Sequence, residues 1–220
     1  MIVITGASDG LGAELAKQLM ADGEKIVCLS RSKPADGIEH IETDLSNPKS
    51  IDSAIKLILD KDETLKALVN NAGLLSVEDL GSLTSDELQK IMQVNVNATM
   101  SLVSGLMDRI KKDESDIVNV VSTNAIYRRP NRMTYSVSKW ALRGFTENLQ
   151  EVFKDTKVRV IGFYPGGFKS NNLTRATGKP LPDPENWVDV EDMALALKQA
   201  MQLPKTMEVS TLVISRKMTK

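Results

Sequence analysis

Met1-Ile2-Val3-Ile4-Thr5-Gly6-Ala7-Ser8-Asp9-Gly10-Leu11-Gly12 is the stretch that decides the fold. Residues 1–5 are short and mostly apolar, as a buried strand requires. Glycines then fall at 6, 10 and 12. A helical pattern follows through Leu11, Leu15, Gln18 and Leu19 and ends near Gly23. Lys25-Ile26-Val27-Cys28-Leu29-Ser30 supplies a second apolar run. Strand, glycine turn, helix and strand in that order make one βαβ unit. The apolar runs do not alternate with polar residues, so the sheet is expected to be parallel and covered on both faces. Glycines between a strand and a helix let the backbone approach a pyrophosphate, and the helix N-terminus favours its charge. A tight turn without a ligand is the competing reading of the Gly-x-x-x-Gly-x-Gly spacing.

The pattern continues outward. Strands are expected at 38–43, 65–69, 116–121, 158–163 and 209–214. A helix over about 48–60 carries Ile51, Ile55, Ile58 and Leu59 at helical spacing. Thr84-x-x-Glu87 has the form of a capping box. It opens a long helix with the stripe Leu88, Ile91, Met92, Asn95, Thr99, Leu102, Val103, Leu106 and Ile110. Another helix bears Tyr135 and Lys139 and runs to about Lys154, and Asp189 caps a last one over about 190–202. Residues 168–187 are rich in Asn, Pro, Gly and Thr and are expected to form a long loop or lid without regular structure. Seven strands alternating with about six helices predict an α/β chain: one Rossmann domain over 1–220, a doubly wound parallel sheet with helices on both faces. Ligands of such sheets bind beyond the carboxyl ends of the strands. Gly6–Gly12, Ser30-Arg31, Asp44-Leu45, Asn71–Gly73, Ser122 and Pro165-Gly166 all fall there.

Composition narrows the function classes. A chain that is 41% hydrophobic and 26% charged is ordinary globular protein. A net charge of −1 gives no basic surface for nucleic acid or anionic membrane. The single cysteine, Cys28, excludes a disulfide framework within the chain and is expected to pack as a small hydrophobe. No apolar run reaches the length of a membrane helix. The chain opens as a strand rather than as a charged leader, so a soluble cytoplasmic protein without nucleic-acid or membrane partners is expected.

Tyr135-Ser136-Val137-Ser138-Lys139 places a phenol and an ammonium on one helix face, one turn apart. That face continues through Leu142, Thr146 and Leu149. A cation beside a tyrosine favours the phenolate, so Lys139 is expected to lower the phenol pKa towards neutral. Such a phenol can exchange a proton with a substrate oxygen. By itself Tyr-x-x-x-Lys is a weak signal. Asn95 lies on an apolar stripe, where an amide needs partners. A core asparagine satisfied by backbone is the alternative.

Taken together, the motifs resemble those of the short-chain dehydrogenase/reductase family, in its compact single-domain branch. Thr5-Gly6-Ala7-Ser8-Asp9-Gly10-Leu11-Gly12 is similar to its nucleotide loop, and Asn70-Asn71-Ala72-Gly73 to its sheet-stabilising motif. Ser122, thirteen residues before Tyr135, resembles its serine, and Asn95 its fourth catalytic position. Pro165-Gly166-Gly167-Phe168-Lys169-Ser170 resembles the segment that borders the nicotinamide. The match runs in order from residue 1 to about 170.

The resemblance implies an NAD(P)-dependent oxidoreductase that interconverts an alcohol and a carbonyl. Its catalytic residues would be Asn95, Ser122, Tyr135 and Lys139. Tyr135 would be the general acid or base, and Lys139 would also hold the nicotinamide ribose. Ser122 would steady the substrate oxygen, and Asn95 would anchor a proton-relaying water. The cofactor would be held by Gly6, Ser8, Asp9, Gly10, Leu11, Gly12, Arg31, Asp44, Leu45, Asn71, Ala72, Gly73, Tyr135, Lys139, Pro165, Gly166, Phe168 and Ser170. Ser30 stands where an acid would select NAD, and Arg31 follows, which favours NADP (NADPH). Asp9 argues the other way, since its charge would repel phosphate. Asp44 reads equally as a turn cap. A small carbonyl or alcohol is the expected substrate, and a homo-oligomer, dimer or tetramer, the expected assembly.

His40 lacks a nucleophile elbow or a second ligand and is expected to be a surface or satisfied histidine, so no metal site is expected. Arg128, Arg129 and Arg132 lie between Ser122 and Tyr135 and face either an acidic substrate or solvent and a partner subunit. A catalytically silent dinucleotide sensor on the same fold is the second reading of function. Retention of Ser122, Tyr135, Lys139 and Asn95 speaks against it.

Overall fold

The opening apolar run forms β1 (Ile2–Thr5), and the glycine turn leads into α1 (Gly10–Ala21) and β2 (Ile26–Ser30). The structure is a computed structural model and describes residues 1–77 and 80–217. After β2 come β3 (Glu39–Glu42), α2 (Pro48–Leu59) and β4 (Ala67–Asn70). Next come α3 (Ser85–Met92), a π-helical turn (Gln93–Asn97), α4 (Ala98–Gly105), α5 (Met107–Asp113) and β5 (Asp116–Val120). The chain continues through α6 (Met133–Phe153), β6 (Val160–Pro165), α7 (Asn171–Thr177), α8 (Val190–Met201) and β7 (Thr211–Ile214). The strands form one sheet in the order β3-β2-β1-β4-β5-β6-β7, and every pairing is parallel.

The absence of alternation in the central strands follows from burial on both sides. Val3, Val27, Leu29, Leu68, Ile117 and Val160 pack under α2, α4, α5 and α6. Ile2, Ile4, Cys28, Val69, Val118 and Phe163 pack on the other side, under α1 and α8. Edge strands β3 and β7 are only partly covered. Fully burying one such aliphatic side chain is worth about 1.5–3 kcal/mol, so the two clusters dominate the folding free energy.

Three boundaries differ from the sequence expectation. The helix expected from Thr84 to Ile110 is interrupted twice. The capping box of Thr84 and Glu87 is present, but the helix widens into the π turn at Gln93–Asn97 and breaks again at Leu106. Leu88, placed on the apolar stripe, is exposed. A 3.6-residue period cannot signal a single wide turn. Second, β4, β6 and β7 begin two residues later than expected. Leu65 is buried, yet its N–H donates to the Asp113 carboxylate rather than to a strand. Third, the 168–187 segment contains α7. Ser170 stands at its N-cap and Gly178, at φ 67°, ends it. The end residues were the available signal, since the helix has no buried residue to create a stripe.

Switching from β1 to β2 on one side and β4 on the other makes a crevice at the carboxyl end of β1. A buried ladder aligns α6 with that crevice. Asn70 Nδ2 donates to Asn119 Oδ1 (2.9 Å), and Asn119 Nδ2 donates to Thr146 Oγ1 (3.0 Å) on α6.

Candidate functional site

Thr5, at the end of β1, joins the loops that follow β1 and β4. Its hydroxyl accepts from the backbone N–H of Asn71 and of Ala72, each at 2.9 Å. Asn71 Nδ2 donates to the carbonyls of Thr5 (2.9 Å) and Gly6 (3.3 Å). The two loops are therefore one unit. Gly6 and Gly10 have φ of 68° and 58°, the left-handed region in which a side chain is strained. A Cβ on Gly12 would lie 2.4 Å from Asn71 Nδ2 and 2.6 Å from the Gly6 carbonyl. The Asp9 side chain makes no cap bond at the start of α1, and the first turn carries no acid. The first-turn N–H groups, pointing out of a glycine cradle, fit a diphosphate. Leu11 and Gly12 are buried, while Ser8 is half-buried.

Gly73 carries the unit to the other half of the site. A Cβ there would lie 3.4 Å from Asn95 Oδ1 and 3.5 Å from Lys139 Nζ. Asn95 sits in the π turn and is buried. Its Oδ1 accepts from Leu74 N (2.7 Å), and its Nδ2 donates to Leu74 O and Ser138 Oγ, both at 2.9 Å. Ser138 Oγ donates in turn to the Tyr135 carbonyl at 2.7 Å. Asn95 thus ties the 71–74 segment to the first turns of α6. Thr5 and Ser138 were not singled out from sequence; Ser138 had a signal, standing between Tyr135 and Lys139 on one helix.

Ser122 follows β5, buried, and its Oγ accepts from Asn124 N at 3.1 Å. It also hydrogen-bonds the Tyr135 hydroxyl. Lys139 is buried, donates to the Val120 carbonyl at 2.8 Å, and holds Nζ 5.8 Å from the centre of the Tyr135 ring. Burial brings the Lys139 ammonium down to about 8.

The phenol does not follow the sequence expectation. Burial pushes the Tyr135 hydroxyl above its usual range, against downward pulls from Ser122 and from the Arg132 charge. Lys139 faces the ring and spends its hydrogen bond on Val120, so it does not lower the phenol in the protein alone. Tyr135 therefore stays protonated through neutral pH, the state a proton donor needs.

Lys139 gives a pH prediction. Its pKa is about 8 folded and 10.5 ordinarily, so between these values the unfolded chain binds more protons and stability rises with pH. Lys139→Met removes this contribution. Urea melts should show wild-type stability climbing relative to the variant by up to about 3 kcal/mol from pH 8 to pH 10.5. A difference that stays constant across that window would mean that Lys139 is not held in a dry site.

The remaining cofactor candidates ring the same edge. Arg31 is exposed just past β2, and its charge helps to hold the Asp44 carboxyl low, after the bonds from Ser46. Both of those bonds, from Ser46 N (2.9 Å) and Ser46 Oγ (2.7 Å), fall on Asp44 Oδ1, so the turn-cap reading applies and Oδ2 stays uncommitted among the described residues. Leu45 is buried beside it. Pro165 pairs with Ile214 at the end of β6, and Gly166 and Phe168 follow, with Phe168 bridged to Val188 across the 168–187 segment. Asp9, expected to repel phosphate, forms an ion pair with Arg175 of α7, and Asn171 Nδ2 lies 3.5 Å from its Oδ1. No sequence signal links residues 166 positions apart. A cavity of about 650 Å³ opens beside this contact, with Asp9, Gly10 and Ser170 in its wall; Asn95, Ser122, Tyr135 and Lys139 do not line it.

His40 Nε2 is satisfied by the Ser30 carbonyl at 2.9 Å, and buried Cys28 contacts Ser30 Oγ at 3.1 Å. Among the described residues no three His, Cys, Asp or Glu side chains gather as metal ligands. No described helix is long and apolar enough to cross a membrane.

A parallel sheet with a glycine cradle at its switch point and a Ser-Tyr-Lys cluster beside it defines a class of oxidoreductases. The profile of the short chain dehydrogenase family matches residues 1–180, and the chain belongs to that family. An uncharacterized short-chain type dehydrogenase/reductase of Sinorhizobium fredii is 27% identical over 96% of this chain and 89% of its own. An alcohol dehydrogenase of Thermococcus sibiricus, complexed with 5-hydroxy-NADP, has a TM-score of 0.86 at 23% identity, covering 97% of this chain and 94% of that one. A 3-ketoacyl-(acyl-carrier-protein) reductase of Brucella melitensis, complexed with NADH, also has a TM-score of 0.86, at 25% identity, with 97% and 96% covered.

Proposed function

We propose that the protein interconverts an alcohol and a carbonyl with NAD(P), NADPH favoured, as one domain with a lid over 168–187. The observation that carries the reading is the span from cradle to cluster. Asn71 binds the glycine loop, and two residues later Gly73 lies so near Asn95 and Lys139 that a Cβ there would meet both, so a dinucleotide on the loop would end beside Tyr135.

A bound nicotinamide supplies or accepts the hydride. Tyr135, kept protonated by its surroundings, gives its proton to the carbonyl oxygen in reduction. Ser122, bonded to the phenol, lies where it can bond the same oxygen and steady its developing charge. Lys139, beside Gly73 and facing the Tyr135 ring, would hold the cofactor's ribose. Asn95 is a positioning residue that fixes α6 against the 71–74 segment.

Arg31 supports NADPH, because its guanidinium is exposed at the end of β2 and Ser30, not an acid, precedes it. Relatives have been captured with both an NADP derivative and NADH, so Arg31 bears the preference. Arg31→Ala should lower the ratio of kcat/KM for NADPH over NADH by about tenfold. An unchanged ratio would remove Arg31 from the choice. Exposed Met100 on α4 and Val137, Trp140 and Val152 on α6 support pairing of two copies, which sedimentation velocity reads.

The reading is tested by following NADPH and NADH absorbance with a panel of aldehydes, ketones, alcohols and 3-hydroxy acids. Turnover that depends on Tyr135 is expected. Tight cofactor binding with no turnover on any member would favour a sensor instead.

A further inference from the structure

The turn between Ser122 and α6 carries Arg128, Arg129 and Arg132. None of the three takes part in an ion pair among the described residues. Arg128 and Arg129 are exposed, and water solvates them. Arg132 is different. It is half-buried, at the N-cap of α6, three residues before Tyr135. Its side chain makes no cap bond, and the first turn holds no acidic residue. The positive end of the helix opposes a cation there, and partial burial adds to the cost. Its charge reaches the Tyr135 hydroxyl. A cation without a counter-charge therefore stands at the start of the helix that bears Tyr135, within electrostatic reach of its hydroxyl.

Asn124 supplies an independent observation. It lies two residues past Ser122 and is only 6% exposed. Its backbone N–H bonds Ser122 Oγ at 3.1 Å, but its side-chain Nδ2 has no hydrogen-bond partner among the described residues. Buried amides are nearly always paired, and one left over next to a reactive serine asks for an acceptor.

One chemical group answers both. A carboxylate brings the negative charge that Arg132 lacks and a second oxygen for the Asn124 amide. Arginine also binds carboxylates through two parallel N–H bonds, which fixes their orientation. We propose that the substrate is a short oxo or hydroxy acid, held by its carboxylate on Arg132 with Asn124 Nδ2 donating to the second oxygen. This rests on the reading of Tyr135 as the proton donor to the carbonyl. Arg132 and Asn124 would be specificity residues, placing the reacting carbon by holding the acid at a fixed distance from the phenol.

The test compares charge at constant carbon skeleton. NADPH-dependent reduction is measured with 3-oxobutanoate and 4-oxopentanoate and with the methyl ester of each. Wild type should prefer the acids, mainly through KM. Arg132→Gln should cut the acid/ester ratio of kcat/KM by at least about tenfold, the scale of losing one charged hydrogen-bonded partner. Arg132→Lys, which keeps the charge but not the fork, should recover part of that loss, and Asn124→Ala should lose less than Arg132→Gln. Calorimetric titration of 3-hydroxybutanoate into the protein saturated with NADPH, a pair that cannot exchange hydride, reads the same site without turnover, and its heat should vanish in Arg132→Gln. Esters used as well as acids, or a ratio unmoved by Arg132→Gln, overturn the anion site and leave the reductase reading standing. Arg132-dependent binding without turnover of any carbonyl supports the anion site and overturns the reductase reading. Absence of both binding and acid preference overturns the proposal.

Discussion

Tyr135→Phe should lower kcat for carbonyl reduction by about 10³-fold, or ~4 kcal/mol of barrier, while the dissociation constant for NADPH stays within about threefold. Phenylalanine keeps the ring that Lys139 faces at 5.8 Å and loses only the hydroxyl bonded to Ser122. The glycine cradle and Asn71 are untouched, so fluorescence titration with NADPH separates binding from chemistry. The pH profile is a second readout. An acid raised above the usual phenol range remains loaded at neutral pH, so reduction by wild type should be flat there and fall only in the alkaline range. The residual rate of the variant should lack that fall. Turnover within tenfold of wild type would falsify the role of Tyr135.

Gly12→Ala should weaken NADPH binding by about 100-fold, or ~3 kcal/mol, and cost a further ~1–3 kcal/mol of stability. The added methyl would enter between Asn71 Nδ2, 2.4 Å away, and the Gly6 carbonyl, 2.6 Å away, which hydrogen-bond each other. Something must shift, and the 71–73 segment is tied to Thr5 on one side and borders Lys139 on the other. Damage is therefore expected at both the cradle and the Ser122, Tyr135 and Lys139 cluster. Gly10→Ala is the control. Its methyl would meet nothing within 4 Å, so only the positive φ of 58° opposes it, about 1–2 kcal/mol. Calorimetry with NADPH and thermal melts of the two variants check this. Equal losses would mean that backbone conformation, not the Asn71 contact, controls the loop.

Much of this was legible in the sequence because repeated physical constraints leave repeated marks. Strands covered on two sides must be mostly apolar: the runs at 2–4 and 26–29 are wholly so, and 116–120 admits Asp116 and Asn119 only with buried partners, Arg159 for the first and Asn70 and Thr146 for the second. Glycine is needed where the chain adopts positive φ or approaches itself, and 6, 10 and 12 are glycine. Single events leave no such mark. The π turn at Asn95 and the break at Leu106 are invisible to a periodic pattern. Helix α7 buries nothing, so it left only its end residues to read. The pairing of Asp9 with Arg175 depends on tertiary geometry alone. The phenol of Tyr135 was misjudged for the same reason. Helical spacing brings Lys139 near, but only coordinates show that its ammonium faces the ring and a carbonyl, and that desolvation outweighs attraction.

The strand order carries a consequence for biosynthesis. β1 lies between β2 and β4, so its two neighbours emerge from the ribosome at different times. β2 follows after one helix, whereas β4 at Ala67–Asn70 arrives only after β3 and α2 have been made. Through that interval Ile2, Val3 and Ile4 form an apolar ribbon with one edge open, which is the kind of nascent segment that invites mispairing. Nonlocal closure of this sort slows folding. A translating chain paused before residue 67 should accordingly be the species most dependent on chaperones.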